Sequence, residues 1–205
     1  SDFELAVPGL LVFSIVMLML SASTAFVMEV ENRTIHRLKL SRIRTVEFLG
    51  GVSMVQLLVG IFSIALTLFA AFAMGFRFEG NWMAFLIVAV LTCISIIAFS
   101  LIIAAFTKTV TQVLVVGNFP LFLFMFFTGA MFPVNAPAWF RIGDYGVSVT
   151  GLMSPSHAVS ALYDLLILKK QLPDIWPQML CLAAISLVYF GIGLWTFNRN
   201  HMRVE

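Results

Sequence analysis

Long runs without a charged side chain alternate with short polar connectors along this chain. No Asp, Glu, Lys or Arg occurs in 5–28, 48–76, 80–107, 109–140 or 175–198. About 20 apolar residues rising 1.5 Å each cross the hydrocarbon of a bilayer, and a charge at mid-membrane costs such a helix roughly 3 kcal/mol. The pattern predicts an all-α polytopic bundle in one transmembrane domain over 1–205, with five transmembrane helices at about 5–28, 49–75, 82–106, 110–132 and 175–197. A loaded connector, 29–48, lies on one side of the membrane and a longer segment, 133–174, on the other.

Composition supports the pattern: 61% of the 205 residues are hydrophobic and 11% charged, where soluble domains carry about a quarter charged. The spans hold amides, hydroxyls and two thiols, Cys93 and Cys181, but no carboxylate or Lys for a proton or ion relay. The energy for any transport therefore comes from outside these helices. Both cysteines sit in apolar runs, where packing is the expected role. A net charge of +2 gives no reason to expect a nucleic-acid partner.

The distribution of cations orients the bundle. Arg33, Arg37, Lys39, Arg42 and Arg44, then Lys108, then Arg199 and Arg203 place eight of the twelve Lys and Arg on one side. By the positive-inside rule that side is cytoplasmic, and so is the C-terminus. The chain begins Ser1-Asp2-Phe3-Glu4 and enters the membrane at once, without a cationic flank. The expectation is the C-terminal part of a longer protein with one preceding span, six in all.

Local signals lie mainly in three places. In the fourth span, Pro120 frees a carbonyl and kinks the helix while Gln112 and Asn118 offer amides, so they read either as a packed kink or as pathway or interface residues. The connector Glu29-Val-Glu-Asn-Arg-Thr-Ile-His-Arg-Leu-Lys-Leu40 alternates acidic, basic and apolar positions, with Ser41 as an N-cap for the next helix. It reads either as a basic loop on lipid headgroups or as an amphipathic helix that transmits a push. Beyond the fourth span, 155–168 is amphipathic between Pro133 and Pro173, with Trp139, Tyr163 and Trp176 as interfacial anchors. Its histidine, His157, suits a hydrogen-bonding role near a helix start, and three scattered His with two Cys make no metal site.

Glu31-Asn32-Arg33-Thr34-Ile35-His36-Arg37-Leu38, with Ser41 and then Gly50-Gly51, resembles the first cytoplasmic connector of type-2 ABC transporter permeases. Arg33 stands where that family usually has Gly, and Arg42 where Pro often follows Ser. Thr128-Gly129-Ala130-Met131-Phe132-Pro133, then Pro137-Ala138-Trp139, then Pro155-Ser156-His157-Ala158, is similar to the family's exit from its penultimate span.

The resemblance implies the permease subunit of an ABC exporter in a bacterial inner membrane, paired with a second permease subunit, as homodimer or heterodimer. A separate ABC ATPase would hold ATP, because this chain has no phosphate loop and needs no cofactor of its own. The coupling contact would be Glu31, Arg33, Thr34, Arg37 and Leu38. Phe132, Pro133, Pro155 and His157 would line short re-entrant helices at the extracytoplasmic exit. An ATP-independent channel, a secondary transporter and a membrane scaffold are the rival classes. An intramembrane enzyme would need a nucleophile and base, or paired carboxylates, at membrane depth, and none is present.

Overall fold

Each charge-free run contains one long helix. The computed structural model describes residues 2–32, 45–78, 80–131, 138–142 and 145–202. Its long helices are α1 (Asp2–Glu31), α2 (Thr45–Ala73), α3 (Trp82–Phe106), α4 (Val110–Phe127) and α6 (Trp176–Phe197), with a shorter α5 (Ser154–Leu166) before the last. All five long helices are long and apolar enough to cross a membrane. α1 and α3 are the most deeply buried, and α3 packs against α1, α2, α4, α5 and α6.

Cross-helix contacts fix direction and level. Glu31 meets Val110, Leu20 meets Gly117 and Gly9 meets Ala130, so α1 and α4 run antiparallel. Gln56 meets Ser21 and Gly60 meets Leu18 and Cys93, so α2 is antiparallel to α1. Gly193 lies against Ala98 and Leu101, and Asn200 donates to the Ala105 carbonyl at 2.9 Å, so α3 and α6 run parallel. One end of the bundle is thus marked by Trp82 and the other by Lys108. With backbone groups satisfied inside each helix, small side chains and hydroxyls bring the helices together. Ser23 donates to the Ser100 carbonyl at 3.2 Å while Ser100 donates to Met19 at 3.1 Å, a reciprocal clasp between α1 and α3.

Helix ends follow local chemistry. Asn81 caps α3 by accepting from the N–H groups of Met83 and Ala84. α2 ends in a Schellman turn: Gly75 is left-handed, its N–H bonds Phe72, and the Phe76 N–H bonds Ala71. α4 stops at Phe127, short of the expected 132, because Thr128 bonds the Phe124 carbonyl and Gly129 turns left-handed.

The segment before the last span differs from an all-helical expectation. Ala138–Ile142 (β1) and Tyr145–Ser148 (β2) form a small antiparallel hairpin. Aromatic and β-branched residues on either side of Gly143-Asp144 favour strands there, a signal that the hydropathy pattern obscures. After a 3₁₀ turn, Val149–Leu152, the helix α5 begins. The Tyr189 hydroxyl donates to the Leu152 carbonyl at 3.0 Å, and at the other end of α5 Gln178 donates to Asp164 at 3.0 Å. Ten residues of α5, about 15 Å, thus run beside eleven residues of α6, about 17 Å. α5 therefore runs from the middle of the bundle out to the Trp82 end, packed against α1, α3 and α6.

Candidate functional site

Three groups of residues carry the polar chemistry, one at each end of the bundle and one midway along α4. At the Lys108 end, the Glu31 carboxylate accepts a hydrogen bond from the Val110 N–H at 3.0 Å. Thr109 accepts from the Gln112 N–H at 3.3 Å, and Gln112 Oε1 accepts from the Lys108 N–H at 2.8 Å. The first turn of α4 is thus capped by a side chain of its own and by one from the end of α1. A carboxylate there also faces the positive end of the helix dipole. Glu31, expected at a coupling contact, and Gln112, expected at a pathway or an interface, both accept backbone hydrogen bonds at the start of α4. Arg33, Thr34, Arg37 and Leu38 lie outside the described residues. Nearby, Asn200 holds the end of α3, and Arg199 sits 5.4 Å over the Trp195 ring.

Midway along α4, Asn118 is exposed and donates from Nδ2 to the Leu114 carbonyl at 2.5 Å. Its other N–H and its Oδ1 have no partner among the described residues. Pro120, two residues on, supplies no N–H to the Val116 carbonyl. Around them Val115 and Phe119 are 72% and 71% exposed, and Leu114, Val116 and Phe122 are exposed too. Only the opposite face, with Val113, Gly117, Leu121 and Phe124, is buried.

Phe132 and Pro133 lie outside the described residues, and α5 runs between mid-bundle and the Trp82 end. Pro155 occupies the first turn of α5, where its missing N–H costs nothing, and is buried. His157 is fully buried, and its Nε2 carries the proton donated to the Gly151 carbonyl at 2.7 Å. Burial pushes the imidazole below its usual 6.5, against the opposing pull of the Gly151 carbonyl, so the ring is neutral at pH 7. The histidine therefore ties the 3₁₀ turn to α5.

One cluster there follows no sequence motif. Asp164 accepts from Gln178 at 3.0 Å and from Lys170 Nζ at 3.1 Å, and the Lys170 N–H returns to the Asp164 carbonyl. This joins α5 to α6 through a turn in which Lys169 adopts a left-handed φ of 53°. Polar residues just inside the predicted last span were the available signal. Among the described residues, no group of three or more His, Cys, Asp and Glu could hold a metal ion.

A family model described as ABC-2 family transporter protein matches residues 3–195. Neither the curated proteins nor the solved structures gave a match.

Proposed function

The chain belongs to the ABC-2 transporter family, and on that premise we propose that it is the permease subunit of an ATP-driven exporter, worked by a separate ATPase subunit and paired with a second permease. It is a multi-pass membrane protein and a permease component of an ABC transporter. In our reading the Lys108 end is cytoplasmic, where most of the cations cluster, and the membrane is an inner membrane.

The observation that carries the coupling reading is the bond from Glu31 to the start of α4. The connector 33–44 leaves α1 at the side chain that caps α4. A partner that displaces the connector on binding ATP would therefore pull on both helices at once, a two-state change of helix packing. Arg33, Thr34, Arg37 and Leu38 are the proposed docking residues, charges for orientation and Leu38 for apolar anchorage. The exposed α4 face supports pairing with a second permease subunit. An amide with unused hydrogen-bonding groups among Val115, Phe119 and Phe122 is better matched by another polypeptide than by lipid.

The test is gentle isolation of the full-length protein from its native membrane. A phosphate-loop ATPase in equal proportion, with vanadate-sensitive activity that Arg37→Glu uncouples from transport, is the expected result. A well-folded preparation with no ATPase partner would overturn the exporter reading.

A further inference from the structure

Among the described residues, three buried side-chain atoms have no hydrogen-bond partner: Ser95 Oγ, Ser154 Oγ and Gln178 Oε1. All three border α5. Ser154 is its first residue, and Gln178, on α6, spends its amide N–H on Asp164 near its last. Ser95 sits one turn before Phe99 on the same face of α3. The Phe99 ring centroid lies 5.1 Å from that of Tyr189, whose hydroxyl holds Leu152 just before α5. Elsewhere in the bundle buried hydroxyls are bonded: Ser23, Ser100, Thr107 and Ser186 each donate to a carbonyl.

A buried hydroxyl or amide without a partner has given up its hydrogen bonds to water and received none in return. Such a group favours any arrangement that lets water back to it. Scattered orphans only weaken a fold, whereas orphans gathered around one element lower the cost of releasing that element.

The two ends of α5 are held differently. At the outer end, toward Trp82, Asp164 accepts from both Gln178 and Lys170, and the Leu165 carbonyl lies so close to Gly80 that a Cβ there would meet it at 3.0 Å. At the inner end the Tyr189 hydroxyl is the latch, a single bond of 3.0 Å to Leu152, whose own side chain is exposed. Pro155 in the first turn has no N–H to offer for a second bond. Ser95 and Ser154 lie beside this latch, so the orphaned hydroxyls are found where α5 is held least.

We propose that α5 is a releasable plug: it pivots on its outer end, its inner end swings away from Tyr189, and Ser95 and Ser154 recover hydrogen bonds from the water that follows. Release opens the Trp82 half of the bundle, between α1, α3 and α6, to water from that end. The Asp164 clasp keeps the helix tethered meanwhile. The orphaned hydroxyls set how often the plug opens, and the Tyr189 bond sets how firmly it shuts. This device belongs to the chain alone and stands apart from the exporter reading.

The experiment is amide hydrogen exchange, read by mass spectrometry, on the full-length protein in lipid nanodiscs without nucleotide. In wild type the amides of 156–162 should exchange about tenfold faster than those of 92–101 in α3. Ser95→Ala and Ser154→Ala each remove an orphan and should slow α5 several-fold, whereas Tyr189→Phe removes the latch and should speed it several-fold. Ser100→Ala, which loses a bonded hydroxyl in the α1–α3 clasp, should not slow it. Exchange in α5 as slow as in α3 would overturn the proposal, and so would exchange left unchanged or accelerated by both serine substitutions. Acceleration is the result that an ordered water on those hydroxyls would give. The two serine variants decide the matter if Tyr189→Phe does not assemble.

Discussion

The Glu31 carboxylate accepts from the Val110 N–H at 3.0 Å, joining two residues 79 positions apart and making the end of α1 a cap for α4. Whatever moves the connector after Glu31 therefore acts on α4 as well. Glu31→Ala removes the cap and its favourable alignment with the helix dipole, a loss of about 1 kcal/mol. Glu31→Gln keeps an acceptor and loses only the charge. Thermal unfolding should rank wild type above Glu31→Gln above Glu31→Ala. Substrate-stimulated ATPase activity of the full complex should fall in the same order. Equal stimulation in all three would dissociate this bond from coupling.

Gly9 permits a close approach of α1 to the chain just after α4. A Cβ there would run into the Ala130 carbonyl oxygen, and backbone on both sides cannot yield cheaply. Gly9→Ala should destabilise by about 1–3 kcal/mol. Gly50→Ala, in α2 with nothing within 4 Å of the added methyl, should be neutral or stabilising by up to about 1 kcal/mol. Thermal unfolding in detergent compares the two directly, and similar shifts would refute the packing argument.

Asn118 tests the pairing face. With Val115→Cys in an otherwise cysteine-free full-length complex, a bifunctional thiol reagent should join two permease subunits in intact membranes. Adding Asn118→Leu should lower the paired fraction several-fold, because the amide then has nothing to offer a partner. Absence of any crosslink between permease subunits, with the introduced thiol reactive toward a monofunctional maleimide, would place this face against the bilayer.

His157 gives a pH dependence with a defined sign. The unfolded imidazole titrates near 6.5 and the folded one lower, because burial disfavours the charge. The unfolded chain therefore takes up the proton first. Stability is full above about pH 6.5 and falls as pH drops from there through the folded value. Unfolding temperature between pH 5 and 8 should show that decline in wild type and a flatter profile in His157→Gln.

Lys169 holds a left-handed φ at the turn after α5, a conformation that costs a side-chain-bearing residue about 1 kcal/mol. Lys169→Gly should raise the unfolding temperature, provided that the neighbouring bond from Lys170 to Asp164 is kept. A lowered temperature would mean that the Lys169 side chain contributes more than the strain it carries.

Hydrophobicity alone determined the number of long helices and nearly all their positions. Transfer free energy depends on the residues of one segment and not on their neighbours, so five charge-free runs became five helices. The connector motif and the later Phe-Pro and Pro-x-His segments likewise carried the family. Where each side chain ends up depends on partners far along the chain, and only the tertiary structure decided it. Gln112 became a cap because Lys108 and Thr109 turn the chain at the start of α4. Asn118 faced outward because Gly117 was needed against Leu20. The hairpin and the depth of α5 were illegible for the same reason. An apolar-rich stretch of 133–174 fits strand, surface helix and re-entrant helix alike, until Tyr189 and Gln178 on α6 fix Leu152 and Asp164 at different depths. Sequence sets what must leave water, whereas packing sets which neighbour each polar atom finds.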